Sequence, residues 1–267
     1  MPQDKLKNPP LIEVVFEIRW DPQRARKNPF FSIFWGGLHS KLNEKFPEIV
    51  SLLPDIPLPD EFTQNTYHYR FFSENKKFPM VQVGPGALTL HEKDPSYCWD
   101  SFKENIDFVA KQLFASHPKT VNFLPHHLVL RYADFFECDF AKADFFSYLK
   151  ENLKIDFSMS GELFRDGQVT SSPSPYNLHV QTFFPCLLPD VSERGEVGLI
   201  FRGGERNKTQ GIFMDTIVQC PQALPSRTSR YWSSHEEIIR WAEDAHNITH
   251  RWFFTLIEGE LRKKFEQ

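Results

Sequence analysis

Leu11-Ile-Glu-Val-Val-Phe-Glu-Ile-Arg-Trp20 alternates strictly: Ile12, Val14, Phe16, Ile18 and Trp20 fall on one side, Glu13, Val15, Glu17 and Arg19 on the other. A period of two with charge on one side specifies a strand whose apolar face is covered and whose other face is polar. Asn28-Pro29 follows as an N-cap and first helical residue, ahead of a stripe at helical spacing: Phe30, Phe31, Phe34, Leu38, Leu42 and Phe46. Strands are predicted at 67–72, 80–83 and 87–91, the last two joined by a turn at Gly84-Pro85-Gly86. Asp94-Pro95 opens a second helix with the stripe Trp99, Phe102, Ile106, Val109 and Leu113.

The same order returns downstream. Leu128 to Phe136 reads as a strand, and Asp144 caps a helix running to Leu153. A Ser/Pro/Gly-rich loop covers 158–175. Strands are predicted at 176–184, 197–201 and 211–218, with a turn around Gly203-Gly204 between the last two. Ser234-His-Glu-Glu237 is a capping box for one long helix through Leu261. Glu13 to Trp20 followed by Asn28-Pro-Phe-Phe31 aligns with Leu128 to Phe135 followed by Ala143-Asp-Phe-Phe146. The expected fold is therefore α+β: two tandem, pseudo-symmetric β-α-β-β-β-α units, 1–120 and 121–267, sharing an antiparallel sheet backed by helices.

Composition bounds the function. The 267 residues carry 31 Lys+Arg against 35 Asp+Glu, and the whole net charge of −4 belongs to the second unit. That balance argues against holding nucleic acid by bulk charge. No run reaches the roughly 20 apolar residues of a membrane span. The polar N-terminus lacks the apolar core of a secretory signal, so a cytoplasmic location is expected. Four scattered cysteines form neither a metal nor a redox motif. The 27 phenylalanines lie largely on the helix stripes and strand faces, which makes them core before anything else.

Each chemical signal competes with a plainer explanation. His246 and His250 have the i, i+4 spacing of a zinc pair, but Asn247 stands where a zinc protease places its glutamate. His126 and His127 point to opposite sides of a strand. Cys98 has no evident base. No catalytic, cofactor or metal residue is expected. The candidate contacts are Glu13, Glu17 and Arg19 with Arg131 and Asp134 on the charged sheet face, and Arg202, Arg206 and Lys208 on a hairpin. The face could receive a protein, or its charges could pair internally. The hairpin, with Arg24, Arg26 and Lys27 at the matching connection, could contact phosphate. Phe183-Phe-Pro-Cys-Leu-Leu-Pro-Asp190 reads as an apolar connection suited to docking.

Pro9-Pro-Leu-Ile-Glu-Val-Val-Phe-Glu-Ile-Arg19 resembles the opening of a sporadically distributed prokaryotic family of unassigned function. So do Val81-Gln-Val-Gly84, Tyr97-Cys-Trp99 with Phe102, Leu130-Arg-Tyr132, and the ending around His246, Ile248, Phe253 and Glu260-Leu-Arg262. The resemblance implies an accessory role, of a defence type, and no catalytic residue. The predicted topology also resembles the saddle of the TATA-box-binding protein, which has one more strand per repeat. With no catalytic constellation in the sequence, the family resemblance gives a non-enzymatic protein-interaction module as the expected function. The alternatives are nucleic-acid binding through the sheet face and basic hairpins, and a small apolar ligand binder or hydrolase with a Phe-lined cavity.

Overall fold

The computed structural model describes residues 6–21, 31–54, 66–93, 97–117, 123–140, 143–165, 177–191, 193–220 and 231–267. Its strands are β1 (Leu11–Arg19), β2 (Glu48–Ser51), β3 (Tyr69–Ser73), β4 (Lys77–Val83), β5 (Ala87–Glu92), β6 (His127–Glu137), β7 (His179–Leu188), β8 (Glu193–Arg206) and β9 (Thr209–Gln219). The helices are α1 (Phe31–Leu42), α2 (Trp99–Ser116), α3 (Phe145–Leu153), α4 (His235–Leu256) and α5 (Glu260–Glu266). All nine strands form one antiparallel sheet in the order β2-β3-β4-β5-β1-β6-β9-β8-β7. The α+β class and the antiparallel sheet are as the periodicities require.

The alternation of β1 holds from Glu13 to Arg19, after a register shift between Leu11 and Glu13 that leaves Ile12 half-buried. Val14, Phe16 and Ile18 are completely buried beneath the helices, and their partners across β6 are Tyr132, Leu130 and Leu128. The α2 stripe from Trp99 to Leu113 is buried on the same side, as are Phe34, Leu38 and Leu42 of α1 and Ile238, Trp241 and Ala245 of α4. Phe145, Leu149 and Leu153 of α3 and Leu261 and Phe265 of α5 join Phe136, Phe201 and Met214 in a neighbouring cluster. Every described helix thus lies on one face of the sheet. The other face, helix-free among the described residues, carries Glu13, Val15, Glu17 and Arg19 from β1.

The structure departs from the expected elements at four places. A short strand, β2, follows Pro47, so four strands stand between α1 and α2, not three. It lies at the sheet margin, where few burial constraints mark a strand in sequence. β8 runs through Gly203-Gly204 to Arg206, and the turn to β9 is Asn207-Lys208 with φ of 52° and 66°. Both glycines are needed inside the ladder. A Cβ at Gly203 would stand 2.2 Å from the Phe145 ring, and one at Gly204 2.9 Å from Phe213. The last helix breaks at Ile257, and Gly259 restarts it as α5 with φ of 124°. Finally, most of 183–190 is strand β7 and not a connection.

Two helix caps, Asp144 and Ser234, follow the sequence, the second with one shift. Asp144 accepts from the Ser147 backbone N–H at 2.9 Å and holds α3. Ser234 accepts from Glu237 N–H, but the Glu237 carboxylate returns to the N–H and hydroxyl of Ser233, one residue further out than the motif demands. The α2 helix starts at Trp99 with Cys98 as its N-cap and no side-chain cap hydrogen bond, so Asp94-Pro95, which lies outside the described residues, does not cap it. Asn28-Pro29 and most of the loop at 158–175 also lie outside the described residues.

Candidate functional site

Strand parity sorts the predicted charges. Glu13, Glu17, Arg19 and Arg131 share the helix-free face, with Arg131 opposite Val15 and Arg19 opposite His127. Asp134 does not join them. It is three residues from Arg131, so it points to the helix side, where it is 3% exposed. Arg202 does lie on the helix-free face, since it stands opposite Phe213, two residues along β9 from Asp215.

Those charges are matched to one another. Arg19 Nε donates to Glu17, whose second oxygen accepts from Tyr67 Oη at 2.8 Å. Glu13 contacts His91 Nδ1 at 3.1 Å and Arg131 at 3.8 Å. These two partners with Lys93 outweigh desolvation and hold the Glu13 carboxyl below its usual range. Arg202 Nη2 donates to Asp215 at 2.9 Å, and Gln219 donates to Glu196 at 3.1 Å. Between the pairs lie the half-buried Val129 and Phe213, and Val15 and Ile217, which are buried. The face is therefore a mixed surface without excess charge of either sign. At its β7 corner Leu187 is 72% exposed, the most exposed large apolar side chain among the described residues.

Arg206 and Lys208 sit at the tip of the β8–β9 hairpin, and Arg202 lies four residues before Arg206 along β8. Arg202 is committed to Asp215, so the three cations do not converge. Arg24, Arg26 and Lys27 lie outside the described residues.

The histidine motif belongs to a buried polar cluster. Tyr97 Oη is 2.7 Å from Tyr132 Oη, which is 2.8 Å from His246 Nδ1. The His246 ring stacks on Trp99 at 3.9 Å. Burial, with His250 and Lys103 adding, pushes His246 down to about 3. In the tautomer with Nδ1 bare, the neutral His246 ring accepts from Tyr132 and Tyr132 accepts from Tyr97; in the other tautomer His246 donates to Tyr132. His250 lies 5.5 Å away ring to ring, and no third metal-ligating residue joins them among the described residues. Asp134 neighbours the two tyrosines electrostatically. Burial, then the Asp215 carboxylate, pushes it up to about 8. His127 faces Arg19 and His126 donates its backbone N–H to the Arg19 carbonyl, so neither belongs to a metal pair. Gly84-Pro85-Gly86 is the β4–β5 turn. Cys98 is exposed at the start of α2, whereas burial raises the thiols of Cys138 and Cys220 to about 11.

On the helix side, a cleft of about 530 Å³ opens between β7–β8, the end of α3 and the last turns of α4. Phe157, Phe184, Phe201 and Trp252 form its walls, and Lys154 and Arg251 are its charged lining residues. Phe184 is 49% exposed at its mouth. A Phe-lined cavity between helices and sheet was only an alternative in the sequence, whose local patterns do not show which residues line it, because the walls come from distant segments.

No described helix is long and apolar enough to cross a membrane. No protein-family model and no curated protein matches the chain.

Proposed function

We propose that this chain is a non-enzymatic protein-interaction module that receives a partner on the helix-free face of its sheet. The observation that carries the reading is the pairing of the charges there. Glu13, Glu17, Arg19, Arg131, Arg202 and Asp215 are already neutralised by neighbours, with apolar residues between them and Leu187 standing out at the corner. Such a surface has the mixed, locally satisfied character of a protein contact. It offers a polyanion no uncompensated row of cations, which weighs against the nucleic-acid alternative.

The strand order supports a second part of the proposal, that the two halves are pseudo-symmetric units. β1-β5-β4-β3 on one side has the connectivity of β6-β9-β8-β7 on the other. β2 supplies to the first unit the extra strand of the saddle-type repeat. In line with the sequence resemblance, the module would serve a prokaryotic accessory system of a defence type.

The test is capture of a partner from the native host at 0.15 and 0.5 M salt, repeated with Leu187→Asp. A stoichiometric protein retained at both salt concentrations and lost with the variant supports the reading. Retention of the chain itself on heparin, released by salt, would replace it with nucleic-acid binding.

A further inference from the structure

The cleft on the helix side is separate from the proposed docking face, because the sheet lies between them. Its construction specifies a ligand. The floor is Phe201, which is almost wholly buried, and one wall is Trp252, whose ring is 5.9 Å from that of Phe184. A volume of about 530 Å³ lies within the range of about 300–1,000 Å³ that small-molecule sites occupy.

The charges at the mouth are unequal. Lys154 Nζ is engaged by the Glu258 carboxylate at 2.8 Å. Arg251 lines the cleft without an ion-pair partner, and no acidic side chain lines the cleft, among the described residues. The Thr255 hydroxyl spends its proton on the Arg251 carbonyl, and the Thr182 hydroxyl on that of Leu199. What is left is an apolar chamber with one uncompensated guanidinium at its entrance. Its complement is a hydrocarbon body ending in a single anionic group, which a guanidinium binds in two-pronged fashion when that group is a carboxylate.

We propose that the cleft binds a free aliphatic carboxylate of medium chain length, with the tail among Phe157, Phe201 and Trp252 and the head on Arg251. The test titrates the full chain by calorimetry with decanoate, with decanol and with phosphatidylglycerol vesicles. Decanoate is expected to bind at least about tenfold more tightly than decanol. Arg251→Gln should remove that preference while sparing the weak binding of decanol. Thr182→Trp, which fills the chamber, should remove both. Equal affinity for the acid and the alcohol, or an unchanged preference in Arg251→Gln, overturns the assignment. Binding to vesicles without binding to decanoate overturns it as well, in favour of a lipid surface. Leu187→Asp should leave decanoate binding unchanged, so the docking face and the cleft can fail independently.

Discussion

Asp134 shows how much depends on a single residue's parity. It lies on the helix side of β6 among Leu130, Tyr132 and Phe136, and no hydrogen bond or ion pair reaches its carboxyl among the described residues. Folded, it holds its proton up to about 8, against 3.8 for the free side chain. Between those values the native state binds a proton that the unfolded chain has lost. Stability therefore falls as pH rises through that window and levels off above it. His246 has the opposite sign. Its folded value of about 3 lies below 6.5, so the unfolded chain takes up a proton that the native state refuses. Its contribution is complete above 6.5 and is lost as pH falls towards 3. Thermal melts from pH 4 to 9 should show Asp134→Asn gaining most at pH 8 and little at pH 4. His246→Gln should flatten the acid limb. An Asp134→Asn melting curve parallel to the parent at all pH values would refute the buried-acid account. The sequence held the means to place Asp134, since Arg131 and Asp134 differ by an odd number. Its grouping with the exposed charges came from treating charge as a mark of the polar face. The Tyr97–Tyr132–His246 contact was beyond reach, because it joins three segments that no local pattern links.

At the scale of elements, local chemistry and tertiary space divide the work. The β8–β9 turn closes on Asn207-Lys208, both with positive φ, which is the two-residue type I′ geometry. Asparagine tolerates that conformation, but lysine there sacrifices stability that glycine would keep. Lys208→Gly should raise unfolding free energy by about 1 kcal/mol, read from the urea midpoint at constant slope. The same substitution should leave heparin affinity unchanged if the hairpin cations are a solvated turn and not a phosphate clamp. Gly203→Ala should act in the reverse direction. The new methyl meets the Phe145 ring, and the collision pushes α3 away from β8 at a cost of about 1–3 kcal/mol. Near-ultraviolet circular dichroism should change with it, because the Phe140 and Phe145 rings stack at 4.1 Å on that surface. The sequence pointed to a turn at Gly203-Gly204 because glycine pairs usually mark one. Here they mark where a helix side chain and a cross-strand ring come close to the backbone. That use of glycine depends on elements distant in sequence and carries no local signal. By contrast, the stripes of α1, α2 and α4 and the alternation of β1 and β6 were legible, because burial on one side imposes a period on the sequence itself.

At the scale of the molecule, the question is whether the two proposed units can stand apart. Strands β1 and β6 are hydrogen-bonded at the centre of the sheet, so neither unit owns a closed edge there. The helix layer crosses the same seam. Trp241 of α4 packs on Phe16 of β1 at 6.2 Å, and the larger core cluster runs from Val14 through Ile106 to Val218 and Ile248. Cutting the chain at residue 120 would expose Phe16, Ile18 and the α2 stripe on one fragment and Trp241 and Ala245 on the other. It would also leave β1 as a bare apolar edge, open to pairing with another copy. Expressed alone, residues 1–120 should be unfolded or aggregated, with no near-ultraviolet signal. The whole chain should unfold in a single calorimetric transition whose van't Hoff and measured enthalpies agree. Two resolved transitions, or a monomeric folded fragment, would mean that the seam is an interface between finished domains. Duplication, on this account, would have yielded one cooperative body, because each unit completes the core and the sheet of the other.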